Sequence, residues 1–214
     1  MIRRKSILMV VGWMAVVVAG CYTKIQGPTV VGPIVPPLGA FTAADCGPYA
    51  DWETSEYVLP YPAGESYTVL EGNCSNGSHV SNFRHAYDFR MPIGSEVVAV
   101  KAGRVSLARE KYADEDQDFQ HWNGVRIDHD DGTASVYGHL TRNGVLVEVG
   151  DWVEQGQTIG FSGNSGFSFE PHLEFLLLPC ADVTRCTSLP VTFANTRPNE
   201  SGLVEGVAYR AKAH

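Results

Sequence analysis

The sequence predicts an all-β domain, an antiparallel curved sheet or partly closed barrel. Three observations predict it. From about Tyr67 onward, short β-branched and aromatic runs alternate with glycine-bearing turns. No stretch keeps apolar residues at the 3.6-residue spacing of an amphipathic helix of ordinary length. The 10% aromatics and 22 glycines suit a turn-rich β protein better than a coiled coil. With 44% hydrophobic and 19% charged residues, the 214-residue chain has globular composition and a length for one domain with an appendage.

Residues 1–20 read as an export signal. Arg3, Arg4 and Lys5 lead into an apolar run at 7–18, shorter than the roughly 20 residues that span a bilayer, and small residues follow. The ending Val18-Ala19-Gly20-Cys21 resembles the bacterial lipobox, which implies that Cys21 is lipidated and becomes the mature N-terminus. Tyr22, where an Asp would signal inner-membrane retention, favours the outer membrane facing the periplasm. Residues 21–45 form a tether, rich in Pro and Gly at 27–39 and without strand or helix period. The β domain is expected over 46–200, and 201–214 reads as a C-terminal tail with little signal.

Within the domain, candidate strands fall at 67–71, 96–100, 103–109, 124–129, 133–139, 158–162 and 172–178. Turn signals separate them at Ile93-Gly94-Ser95, Asp130-Asp131-Gly132, Arg142-Asn143-Gly144 and Gly163-Asn164-Ser165-Gly166. The acidic run 114–118 has no apolar period and reads as a solvated loop.

Charge and cysteines narrow the function classes. The net charge is −8, and setting aside the three basic residues at positions 3–5 leaves −11. A nucleic-acid-binding surface is excluded, and an anionic partner needs a local site. Besides Cys21 there are Cys46, Cys74, Cys180 and Cys186, an even number in an exported chain. Cys180 and Cys186 bracket a short polar segment and are expected to staple a hairpin tip, leaving Cys46–Cys74 to pin the N-terminal segment. A Cys₄ metal site lacks any Cys-x-x-Cys pair.

Among seven histidines, two stand out by setting: His139 in VYGHL and His172 in PHLEF. Asp88 sits in HAYDF, followed by MPIGSEVVAVKAGRV; then come IDHDDGTASVYGHL, VEVGDWVEQGQTIGFSGNSG and PHLEF. This succession, over about 57–193, resembles the lysostaphin/LytM-type zinc metallopeptidases, which cut peptide bonds in peptidoglycan. The resemblance implies a sheet of the lysostaphin-like type, peptidoglycan peptides as substrate, Asp88 as a metal ligand and His139 and His172 as the catalytic pair. The first ligand is His79 or His85. His85 lies three residues before Asp88, and on a strand residues an odd number apart face opposite ways, so His79 on its loop is favoured. His129 reads as a turn residue; His121 and His214 have no assigned partner.

The chain departs from the family at its last motif. His172-Leu173-Glu174 stands where the family has His-x-His, which makes Glu174 the expected third ligand. The same-face spacing survives, and a carboxylate is a competent zinc ligand. A His/Asp/Glu set neutralises a divalent cation, so Zn²⁺ is expected with Mn²⁺ as the alternative. Three readings follow: an active metalloendopeptidase with an altered ligand, a slow hydrolase that binds metal, and a degenerate cell-wall-binding or amidase-activator domain. VGDWVEQGQTIG also resembles biotinyl and phosphocarrier hairpins, against which stand the export signal and the missing turn lysine. An acidic domain is not drawn to an anionic wall, so a lipid anchor in the membrane would supply local concentration.

Overall fold

The computed structural model describes residues 46–75, 77–179 and 185–214, so the export signal, Cys21, the tether and Cys180 lie outside the described residues. The strands are β1 (Ser66–Glu71), β2 (Tyr87–Arg90), β3 (Glu96–Val98), β4 (Gly103–Arg109), β5 (Gly124–Asp128), β6 (Ala134–Gly138), β7 (Leu140–Val145), β8 (Trp152–Val153), β9 (Thr158–Ser162), β10 (Leu173–Leu178) and β11 (Ala208–Arg210). Short 3-10 turns lie at Trp52–Thr54 and Ser81–Phe83. Eight strands form one sheet in the order β11-β1-β2-β10-β6-β5-β4-β8, and β3-β9-β7 form a second. Every pairing of these strands is antiparallel.

The period of two along β10 divides the large sheet into faces. Leu173, Phe175 and Leu177 are buried in the main core with Phe89, Tyr87 and Tyr137, their partners on β2 and β6. Leu176 and Leu178 point the other way into a smaller apolar cluster with Ala86. Glu174 belongs to that second face. An apolar core on one side therefore frees the other face, at the same strands, for polar side chains.

All seven expected strands are present, two with the expected ends and the rest with ends shifted by one or two residues. Three differences have physical causes. Arg142-Asn143-Gly144, expected as a turn, lies inside β7: Asn143 takes φ 55 and the β7–β9 register shifts across it. Asn tolerates the left-handed region, so the same residue types serve a hairpin turn or a strand irregularity. β2 and β8 are too short for alternation to reveal. The segment 201–214, expected as a tail, carries β11, which pairs with β1 through Ser66↔Arg210, Tyr67↔Tyr209 and Thr68↔Ala208. Tyr209 and Ala211 are buried, and the Tyr61 hydroxyl donates to the Tyr209 carbonyl at 2.8 Å. The expected Cys46–Cys74 bridge is present, with Cα atoms 6.0 Å apart across 28 residues of sequence. Cys186 is also disulfide-bonded; Cys180, its expected partner, lies outside the described residues.

Candidate active site

The polar face of the large sheet holds one cross-strand row that matters. Glu174 on β10 is in register with Asp88 on β2 and with Gly138 on β6. A Cβ at Gly138 would sit 3.1 Å from Glu174 Oε2, so the glycine leaves room for that carboxylate. The neighbouring rows, Leu173–Phe89 and Phe175–Tyr87, anchor the strands in the core.

Three histidines reach this row, and the same device orients each. His79, buried on the loop after β1, donates Nδ1–H to the Gly72 carbonyl at 2.8 Å. That leaves Nε2 facing Asp88 Oδ1 at 3.2 Å. His172, just before β10, places Nδ1 2.7 Å from the Glu170 carbonyl and 3.0 Å from Ser168 Oγ. Its Nε2 stands 3.7 Å from Asp88 Oδ2. His139 links β6 to β7 at φ 60, a backbone state uncommon for a residue with a Cβ and often found at functional sites. Its Nδ1 donates to the Ser165 carbonyl at 2.7 Å, and its Nε2 lies 3.8 Å from Glu174 Oε2. The His139 and His172 rings are 4.6 Å apart between centroids. A carbonyl at each Nδ1 fixes the ring, so the three Nε2 atoms are directed at the two carboxylates.

The carboxylates and His79 shift one another's protonation. Burial pushes the Glu174 carboxyl up to about 7, and the neighbouring Asp88 carboxylate adds to that push against the attraction of His79 and His172. Burial disfavours the His79 cation, but the Asp88 carboxylate, the Gly72 carbonyl and Glu71 outweigh it and raise His79 to about 9. Burial lowers His139, which is therefore neutral at pH 7. A buried Asp88 carboxylate beside the part-buried one of Glu174, both facing imidazole nitrogens, is the donor chemistry a divalent cation satisfies. The residues present fit such an ion.

The remaining histidines serve the scaffold. His85 puts Nδ1 2.5 Å from the Ser188 carbonyl and Nε2 3.1 Å from that of Cys46, so both ring nitrogens are engaged away from Asp88. His129 lies between the Ala102 carbonyl at 2.9 Å and Ser135 Oγ at 3.1 Å. His121 has partners that sequence reasoning did not name: Asp116 Oδ2 at 2.8 Å and the stacked Tyr112 ring at 4.3 Å.

Two acidic residues were missed. Asp114, in the run expected to be solvated, accepts from Thr141 Oγ1 at 2.6 Å and from the Asn164 N–H at 2.8 Å, tying its loop to the turns around His139. Glu71, at the end of β1, offers a carboxylate oxygen within 4.8 Å of His79 and Asp88 ligand atoms. In sequence it is only the last residue of an alternating run, and no local signal marks it.

Residues 82–181 match the model of peptidase family M23. The chain is 30% identical over 123 residues to lysostaphin of Staphylococcus simulans, covering 57% of this chain and 22% of that protein. It is 38% identical over 92 residues to the peptidoglycan DD-endopeptidase ShyA of Vibrio cholerae, covering 42% of this chain and 19% of that protein. The matches thus span about a fifth of the length of these relatives. Among solved structures, the catalytic domain of lysostaphin from Staphylococcus simulans aligns at TM-score 0.42 and 27% identity, over 58% of this chain and 87% of that one. The matched residues run from just before β2 through β10, the segment that carries Asp88, His139, His172 and Glu174. Over residues 82–181, the part that holds these four side chains, the chain is similar to peptidase family M23.

Proposed function

We propose that the chain is a zinc-dependent endopeptidase that hydrolyses peptide cross-links or stem peptides of peptidoglycan, held in the cell envelope by a lipid on Cys21. The observation that carries this reading is the convergence of His139 and His172 on a buried His79–Asp88 pair, within a domain similar to a peptidase family. The names of relatives, a peptidoglycan DD-endopeptidase and a glycyl-glycine endopeptidase, support peptidoglycan peptides as the substrate class.

His79, Asp88 and Glu174 would hold the zinc, with Mn²⁺ as the harder alternative for a set with two carboxylates. When bound, zinc supplies a water of lowered pKa and polarises the scissile carbonyl. His139 and His172 move the protons. Each has its Nδ1 engaged by a carbonyl, so each presents Nε2 to the reacting groups. Neutral His139 has a free lone pair for the proton of the attacking water. The pair then offers a proton to the leaving amine, and their 4.6 Å ring separation lets both touch one tetrahedral centre. A lipid anchor in the outer membrane would set the domain on the periplasmic side, facing the wall.

Zymography on purified cell walls tests the proposal. The wild type should clear the gel, chelator should abolish clearing, and His139→Ala should reduce peptide release by about 10²–10⁴-fold, the range for a lost general acid or base. Wall binding without release of peptides, with zinc supplied, would overturn it.

A further inference from the structure

The β1–β2 pairing contains an irregularity that bears on His79. Thr68 pairs with Arg90 and Val69 with Phe89, but Glu71 rather than Leu70 pairs with Asp88. Two residues of β1 thus oppose one of β2, a β-bulge. In regular pairing Glu71 would share the face of Val69, which is fully buried in the core. The bulge instead turns the Glu71 side chain to the face of Asp88.

There the carboxylate gathers the loop that bears His79. Its oxygens accept from Ser75 Oγ, from Ser78 Oγ at 2.7 Å and from the His79 backbone N–H at 3.0 Å. A Cβ at Gly77 would lie 2.5 Å from Glu71 Oε1, so glycine there lets the loop close on the carboxylate without displacing it. The Gly72 carbonyl that orients the His79 ring is supplied by the next residue of the same strand end. Both oxygens of Glu71 accept from donors of the loop, while one also lies within 4.8 Å of the His79 and Asp88 ligand atoms.

The structure assigns Glu71 as the positioning residue of the metal site: through the bulge it holds the His79 loop so that Nε2 is aimed at the ion. This rests on the proposed ligand role of His79 and adds a group that motif spacing does not include. Supporting partners of this kind change metal affinity by 10–100-fold when removed.

The test uses full-length protein in detergent and Zn²⁺ alone, titrated against a chromogenic chelator. Glu71→Ala should weaken zinc binding by about 10–100-fold, whereas Glu71→Gln, whose amide oxygen can still accept from the His79 N–H, should stay within about threefold of wild type. Amide hydrogen exchange in the metal-free protein should quicken at His79 in Glu71→Ala and stay unchanged at Asp88. Should Glu71→Ala fail to fold, Ser78→Ala carries the test, with a smaller loss of affinity in the same direction. Wild-type affinity in Glu71→Ala overturns the assignment, as does Glu71→Gln binding as poorly as Glu71→Ala, which would make Glu71 a ligand. Absence of zinc binding by the wild type is a distinct result, which overturns the proposed metal site and this assignment with it.

Discussion

Removing the Cys46–Cys74 bridge should destabilise the domain by a calculable amount. The bridge closes 28 residues of sequence. The chain-entropy relation for a loop of that length gives about 3.5 kcal/mol at 25 °C, acting mainly by expanding the unfolded ensemble. The native contacts that flank the bridge do not depend on the sulfurs: the Cys74 N–H donates to the Arg84 carbonyl at 2.7 Å, and His85 Nε2 meets the Cys46 carbonyl at 3.1 Å. The folded state of Cys46→Ala/Cys74→Ala should therefore stay close to wild type. Urea unfolding of the two proteins, with the Cys186 bridge intact, is the assay. For a slope near 2 kcal/mol/M the midpoint should fall by about 1.5–2 M, and the slope should rise because the uncrosslinked chain exposes more surface. A midpoint within about 0.3 M of wild type would refute the reasoning, because the loop closure would then contribute almost nothing.

Glu174→Ala should lose zinc in a metal titration, whereas Glu174→His should bind it more tightly by replacing a second carboxylate with a neutral ligand; equal binding by wild type and Glu174→Ala would exclude Glu174 as a ligand. His129 is buried with its pKa lowered by burial, so the unfolded chain takes up its proton first as pH falls below about 6.5. Its contribution to stability is complete above that value and is lost on acidification. The stability gap between wild type and His129→Leu should then shrink by up to about 1.4 kcal/mol per pH unit below 6.5, and a gap independent of pH from 7.5 to 5 would reject this. For Cys21→Ser, labelled fatty acid should no longer be incorporated and the protein should appear in the soluble periplasmic fraction; a wild type that incorporates no label would dispose of the lipoprotein reading.

Much of the domain was legible because its signals are local. Alternation in 103–109, 158–162 and 172–178 is a property of neighbouring residues, and those strands formed as expected. The same-face spacing of His172 and Glu174 is likewise local, and the structure sets both on the face of Asp88. Signals with two uses were misread. Arg142-Asn143-Gly144 carries turn residues, yet the pairing of Leu140 with Ser162 and Val145 with Gly160 on β9 keeps it within a strand. The acidic run reads as solvated until Thr141 and Asn164 approach Asp114 from elsewhere in the chain.

By itself, then, the sequence determined the all-β class, the order of the motifs and the chemistry available to the polar face, because periodicity and residue type are written along the chain. Only the tertiary structure decided which histidine meets Asp88, since that choice depends on carbonyls of Gly72, Ser188 and Cys46 that capture ring nitrogens across the fold. It also decided that Glu71 stands beside Asp88 and that 208–210 closes the sheet edge on β1. A bulge is a mismatch between two strands and an edge pairing needs both partners, so neither exists until distant segments meet.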